Sequence, residues 1–314
     1  MDYAPIVIFG FDRPLHLNNM IESLSHNTEC IESDAYIFID GPTEKVNQEN
    51  YEKVLEVTRG ELPFKNSFIT IREKNLQCKN NIIQGITEVI QNKGRAIIME
   101  DDLIVSNQFL HYMNHALEEY KDNKDVWHIN GYSFPQFLGN EKKASISKLA
   151  QPWGWGTWKE NWNIFIDEEH KYYKKNIIST LSKEKRREYN FYNLATYWEE
   201  SLKLDGENKN SIWDAYWYQT IYLNNGLTLF PQVSHVQNFG FDGSGLHCGI
   251  NEEFDTRLNT KKTIKLPKSS RENKLFKANV YLFHKKRNIK NYFKYHSNKF
   301  SSPKNFLKWV LRNN

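Results

Sequence analysis

The stretch Arg95 to Ser106, RAIIMEDDLIVS, decides how the chain is read. Ala96–Met99 is a short apolar run of the kind that forms a buried strand. Glu100-Asp101-Asp102 follows, and then Leu103-Ile104-Val105 is apolar again. Burying a charge costs several kcal/mol unless something pairs with it. Three acids between two apolar runs therefore stand at the solvent end of a strand or face a cation. The plainer reading is a turn of solvated acids ahead of a helix, with Ser106 as its N-cap.

Outward from this stretch, strand and helix patterns alternate through the first ~130 residues. Strands are expected at Pro5–Phe9, Ala35–Ile39, Ser67–Ile71, Ala96–Met99 and Val126–Ile129. Helical spacing of apolar residues fills Leu15–Leu24, Val46–Thr58, Asn80–Ile90 and Phe109–Tyr120. Such alternation predicts a mostly parallel sheet with helices on both faces. In these sheets ligands bind beyond the C-terminal ends of the strands. Four of those ends carry polar residues: Asp12-Arg13, Asp40-Gly41, Arg72 and Glu100-Asp101-Asp102. Arg72 could equally be a solvated strand-end charge. Residues 133–152 read as loop, and 153–225, rich in Trp and Tyr, read as helical. A further strand is expected at Leu227–Phe230, and Gly240 to Gly249 is a glycine-rich, flexible segment.

The bulk numbers narrow the class. The chain has 314 residues, 39% hydrophobic and 14% aromatic, enough for one large domain with a core. No apolar run approaches the ~18 residues of a membrane span. The start, MDYAPIVIFGF, lacks the basic opening and longer apolar run of a signal peptide. Cys30, Cys78 and Cys248 are scattered, so neither a disulfide framework nor a zinc site is indicated and a cytoplasmic location is expected. The net charge of +4 hides an asymmetry. Residues 256–314 hold 17 Lys and Arg against Glu272 alone, +16; the other residues hold 42 − 17 = 25 bases and 38 − 1 = 37 acids, −12.

Several segments, in order, carry a resemblance: PIVIFGFDRP, FIDGP, IIMEDDL, QPWGWGTW, SIWDAYW and SHVQNFGFDGSGLHCG. Together they resemble nucleotide-sugar-dependent glycosyltransferases of the GT-A fold, a Rossmann-like, mostly parallel sheet flanked by helices. The family nearest in pattern is N-acetylglucosaminyltransferase I and bacterial surface-polysaccharide transferases. The EDD triplet is similar to the family's DxD metal motif. The resemblance covers roughly residues 4–255. It implies a domain of residues 1–255, with a nucleotide-binding half (1–130) and an acceptor half (131–255), followed by a basic helical appendage (256–314).

The resemblance also implies roles. Asp102 would ligate Mn2+ or Mg2+. Asp101 and Glu100 would bond ribose and donor-sugar hydroxyls. Phe9 and Arg13 would lie on the nucleotide or its phosphates, Asp40 would accept from the uracil N3–H, and Lys79 would stand near the base. Asp214 would be the general base, and His247 in the late loop would reach the metal or diphosphate. Trp153, Gly154, Trp155 and Trp158 would contact the acceptor. The family's acidic pair after Trp is here Asp214-Ala215, a single acid.

Each role has an ordinary structural alternative. The tryptophans can be core, Asp214 a helix N-cap, Asp12-Arg13-Pro14 a helix start with Pro at N1, and His247 a loop residue. The chemistry is coherent in its own right. An inverting transfer needs a carboxylate to take the acceptor's proton and a sink for the diphosphate charge. Asp214 between Trp213 and Trp217 sits in a setting that raises a carboxyl pKa. A pyrophosphorylase would want a glycine-rich loop after the first strand, and FGFDRP has one glycine. A non-catalytic carbohydrate- or membrane-binding protein on the same fold is the alternative from another class.

The basic tail interleaves bases with Phe, Tyr, Leu and Trp, and its last piece, PKNFLKWVLR, puts Phe306, Leu307, Val310 and Leu311 on one helical face. A basic amphipathic helix suits an anionic membrane surface. A solvated basic face or an oligomer contact is the plainer reading, and nucleic acid is not expected as a partner. The expectation is a nucleotide-sugar donor, a glycan or lipid-linked acceptor, and a peripheral position on the inner face of a bacterial cell membrane.

Overall fold

The structure is a computed structural model that describes residues 2–138, 143–167, 175–206, 212–244, 253–262 and 265–297. Its first half follows the alternation closely. Strand β1 (Ile6–Gly10), helix α1 (Pro14–Ser25), β2 (Asp34–Ile39), α2 (Gln48–Arg59), β3 (Asn66–Ile71), α3 (Gln77–Lys93) and β4 (Arg95–Glu100) come in order. Every residue of β1 is buried, so its run IVIFG needs no polar alternation. Pro14 opens α1 at the position where a missing N–H costs nothing. Gly94 ends α3 with φ of +77°, a conformation that glycine reaches without a Cβ penalty.

The chain then turns back through β5 (Leu103–Val105), α4 (Phe109–Glu119) and β6 (Val126–Asn130). Next come β7 (Ser145–Ser147), β8 (Trp155–Trp158), α5 (Lys159–Ile166), α6 (Lys183–Tyr189), α7 (Tyr197–Gly206) and α8 (Asp214–Leu223). The last elements are β9 (Leu227–Phe230), β10 (Val236–Asn238) and α9 (Lys274–Ser297). Eight strands form one sheet in the order β3-β2-β1-β4-β8-β6-β9-β7, and β5 pairs separately with β10. Strands β3, β2, β1 and β4 are mutually parallel; β8 runs antiparallel between β4 and β6, and β7 antiparallel along β9. This is a mixed α/β architecture whose central sheet is flanked by helices.

Two expectations are corrected here. Residues 133–152 are not all loop, since Ser145–Ser147 is an edge strand. Residues 153–225 are not all helical, since Trp155–Trp158 crosses the middle of the sheet. The cause lies in WGTW itself. Successive residues of a strand point to opposite faces. On one face Gly156 lets α4 approach, and a Cβ there would meet Met113 and Leu117 at 3.1 and 3.2 Å. On the other face the Trp155 ring lies 4.9 Å from His128, 5.5 Å from Trp213 and 5.5 Å from Trp217. Trp162 of α5 closes the cluster against Trp217 and donates to Thr87 of α3 at 2.9 Å. Helix α8 is buried from Ala215 to Ile221, which is why DAYWYQTIYL shows no polar face.

Helix α9 packs its first half onto the body. Phe276, Val280 and Phe283 are buried, and Asn279 Oδ1 accepts from the Phe137 and Leu138 amides at 2.6 Å each. Residues 288–293 are exposed, so the helix continues past the surface it is packed on.

Trp217 is fully buried, and its indole N–H donates to His128 Nδ1 at 3.0 Å. We expect Trp217→Ala to lower the unfolding free energy by about 3–5 kcal/mol. Urea denaturation measures this, and a loss under ~1 kcal/mol would show that the cluster does not anchor α8 to the sheet.

Candidate functional site

Parallel pairing brings the polar strand ends together. Phe9 stands opposite Phe38 of β2 and opposite Glu100 of β4. The residues that follow, Asp12-Arg13, Asp40 and Asp101-Asp102, therefore emerge on one edge, where helices α1 and α3 begin. After Asp102 the chain folds back into β5, and its partner β10 returns beside it, with the Phe239 amide donating to the Asp102 carbonyl at 2.8 Å. A Cβ on Gly240 would lie 2.2 Å from Asp102 Oδ2. A larger residue at 240 would have to displace that carboxylate.

Arg13 is the counter-charge of this edge. Its Nη2 donates to Asp101 Oδ1 in a close contact and to Asp102 Oδ2 at 3.0 Å, while Nε lies 3.4 Å from Asp101 Oδ2. Burial pushes the Asp101 carboxyl up to about 7, with Arg13 opposing and Asp102 adding to the rise. Burial also carries Glu100 well above the carboxylate range, reinforced by the charges of Asp102 and Asp214. Asp214 thus faces the strand-end acids from the first turn of α8. Burial raises its own carboxyl to about 6 against the Ala215 amide, which donates to its Oδ1 at 2.9 Å.

The other expected donor residues are more committed to the fold. Asp40 is 4% exposed, and its Oδ1 accepts from the Gly41 and Leu76 amides at 2.9 and 2.8 Å. Through Oδ1 that carboxylate tethers the chain entering α3. Phe9 is buried and stacks on Phe38 at 5.6 Å. Lys79 does not stand free for a base, because its ammonium pairs with Asp205 at 2.8 Å and lies 4.2 Å from the Tyr216 ring centre. Arg72 bonds Asn81 and Glu88 rather than solvent alone. His247 lies outside the described residues.

Of the four acceptor residues expected, Trp153 alone keeps a partly exposed ring. It meets Tyr132, Phe241 and Phe254 edge-on at 4.8, 5.6 and 5.3 Å, and Phe239, two residues before Phe241, is exposed. Trp155 is 1% exposed and belongs to the core cluster. Trp158 is 5% exposed, its indole donating to the Leu117 carbonyl at 3.2 Å. Rings so enclosed have no face to offer a sugar, which corrects that expectation. Gly154, with φ of +59°, is a buried turn residue against Val236.

Two participants were missed in the sequence. Cys78 opens α3, where burial raises its thiol and the charges of Glu100 and Asp214 add to the rise. Asp205 is the partner that engages Lys79. Neither sits in a local pattern that would announce it. Gly240 was part of a quoted segment, but its closeness to Asp102 depends on β5–β10 pairing.

A metal here would meet an oxygen donor set, which suits a hard divalent ion. Among the described residues no three His, Cys, Asp or Glu side chains gather closely enough to hold an ion by themselves. The arrangement fits an ion that takes a carboxylate from the chain and completes its shell with ligand oxygens and water.

No family model matches the chain, and no curated protein matches it. Among solved structures it is similar to a 1–349 fragment of S. aureus TarS, with TM-score 0.36 and 10% identity over 62% of this chain and 55% of that one. It is similar to S. aureus TarS itself, with TM-score 0.37 and 9% identity over 62% and 33%. It is also similar to the mannosyltransferase PcManGT from Pyrobaculum calidifontis, solved with GDP-Man and Mn2+, with TM-score 0.38 and 5% identity over 70% and 69%. The aligned region spans about half of the TarS fragment and a third of TarS. At these scores the likenesses carry no argument about activity, which rests on the site.

The elevated Asp214 pKa has a consequence for stability. Folding raises it from 3.8, so the native state holds this proton more tightly than the unfolded chain. Its contribution therefore falls as pH rises from about 4 to about 6 and is flat above. Asp214→Asn should raise unfolding free energy at pH 7.5 by on the order of 2 kcal/mol, and the gain should vanish near pH 4. Thermal or urea unfolding at the two pH values checks it; an equal effect at both would remove the charge as its cause.

Proposed function

We propose that the protein is a metal-dependent, inverting glycosyltransferase. It moves a sugar from a nucleotide diphosphate, UDP in the first instance, to a hydroxyl of a glycan or lipid-linked oligosaccharide in bacterial surface glycan synthesis. One observation carries this reading. A single partly exposed carboxyl, Asp214, faces a strand-end acidic cluster across one site, and the two sets have different partners.

Asp214 is the base in this reading. Its Oδ1 is held by the Ala215 amide, which leaves Oδ2 to take the acceptor hydroxyl's proton. The hydroxyl oxygen forms the new bond to the anomeric carbon as the bond to the diphosphate oxygen breaks. A single displacement of this kind inverts the carbon. A carboxyl titrating near 6 is ionised at neutral pH yet basic enough to share a proton in the transition state. A bound divalent ion on Asp102 would neutralise the departing diphosphate. Arg13 adds a second positive charge at the same place. In this reading Glu100 and Asp101 would bond ribose and donor-sugar hydroxyls. Trp153 offers apolar ring surface to an acceptor sugar.

The second partner in the proposal is an anionic membrane surface. Beyond the packed half of α9, Ile289, Tyr292 and Phe293 are 47%, 45% and 42% exposed and share one helical face. Lys285, Lys286 and Lys290 flank them, and no acid follows Glu272 in the chain. The segment expected to form the membrane helix, 303–314, lies outside the described residues. No described helix is long and apolar enough to cross a membrane.

A thermal-shift panel of nucleotides and nucleotide sugars, with and without Mn2+, tests the donor site. UDP should raise the midpoint only with Mn2+, and Asp102→Ala should abolish that shift; metal-independent binding retained by the variant would refute the role of Asp102. Asp214→Asn should keep the nucleotide shift and lose transfer by roughly a hundredfold or more. The wild-type rate should rise with pH through a limb near 6. For the membrane, deletion of 303–314 and the double change Ile289→Glu, Phe293→Glu should each lower sedimentation with anionic vesicles and leave donor hydrolysis intact. Unchanged sedimentation in both would end the membrane proposal.

A further inference from the structure

Arg13 closes β1's loop immediately before Pro14 starts α1. Its side chain is 20% exposed, and it is not poised over an open cleft. The guanidinium is turned down onto the two aspartates, whose side chains are 6% and 17% exposed. Nη2 serves both, and Asp102 Oδ2, the oxygen it reaches at 3.0 Å, is the one on which the Gly240 backbone closes. The approach to that oxygen is therefore limited on two sides. A guanidinium and a divalent ion on one carboxylate oxygen also repel each other.

We propose that Arg13 is the resident counter-cation of the Asp101–Asp102 pair, competes with the divalent ion for Asp102, and yields it when a diphosphate arrives. The inference rests on the transferase reading and adds to it an order of events. Without nucleotide, the chain satisfies its own acids, and no set of three described side chains is available to outbid Arg13 with a protein-only metal site. A diphosphate changes both sides of the competition. It offers Arg13 a planar, doubly accepting anion in place of Asp102, and it offers the ion further oxygens. Arg13 keeps its contacts with Asp101 while Nη2 moves from Asp102 to phosphate. Metal and nucleotide then bind with positive coupling, and by linkage each tightens the other by the same factor.

The test is Mn2+ binding to the full chain, read by the electron paramagnetic resonance signal of free Mn2+, with and without UDP or GDP. Arg13→Gln removes the charge and keeps a hydrogen-bonding side chain; Arg13→Lys keeps the charge and loses the fork. Wild type should bind Mn2+ weakly alone and about tenfold or more tightly with nucleotide. Arg13→Gln should bind Mn2+ alone about tenfold more tightly than wild type, and Mn2+ alone should raise its thermal midpoint. Arg13→Lys should stay close to wild type. Unchanged or weaker Mn2+ binding by Arg13→Gln overturns the proposal, as does equal tightening in Arg13→Lys. The two readings separate cleanly. If no nucleotide couples to Mn2+ in wild type while Arg13→Gln gains Mn2+ affinity, the competition stands and the donor reading falls. If coupling is present and Arg13→Gln gains nothing, the reverse holds.

Discussion

The stack of Trp155 on His128, Trp213 and Trp217 is the contact on which the rest depends. It sits where an antiparallel strand has been inserted between the parallel strands β3-β2-β1-β4 and β6. It also reaches across the sheet to α8, whose first residue is Asp214. Trp213, the residue before it, is held in that stack and is 3% exposed. The core therefore sets where the carboxyl of Asp214 stands relative to Glu100–Asp102. Large aromatic rings suit this role, since each buries much area and is defined by only two side-chain torsions.

The strand-end acids are an electrostatic cost that the fold accepts. Glu100, Asp101 and Asp102 follow one another at the end of a buried strand, and burial acts against charge on the first two. Arg13 offsets part of this through both aspartates. A neutral residue at any of these positions would make a quieter strand end. Groups held against their preferred ionisation, in a place where strand ends converge, mark a working site more often than a structural one. Asp40 is as buried as Asp101, and burial raises its carboxyl too, but its Oδ1 accepts from the neighbouring Gly41 amide and from the Leu76 amide ahead of α3, so it acts as a clamp.

The aromatic residues divide along the same line. Trp155, Trp158, Trp162 and Trp217 share their surface with one another or with helix α4 and build the core. Trp153 and Phe239 retain exposed surface. Two tryptophans of one short segment thus have different tasks, because Gly154 turns the chain between them.

Much was decided by the sequence alone. Short apolar runs located the four parallel strands, and period-3.6 patterning located the helices between them. The same patterning put Arg13, Asp40 and Glu100–Asp102 at strand ends, and parallel strands must end on one edge. The strand at Trp155 was illegible because a four-residue strand buried on both faces looks, in sequence, like any aromatic-rich segment. What only the tertiary structure decided is pairing across distance: Arg13 on Asp101 and Asp102, Lys79 on Asp205, Gly240 against Asp102, Asp214 facing Glu100. A residue's type declares what it can bond. Its partner depends on which strands and helices meet, and that is settled by packing the whole core at once.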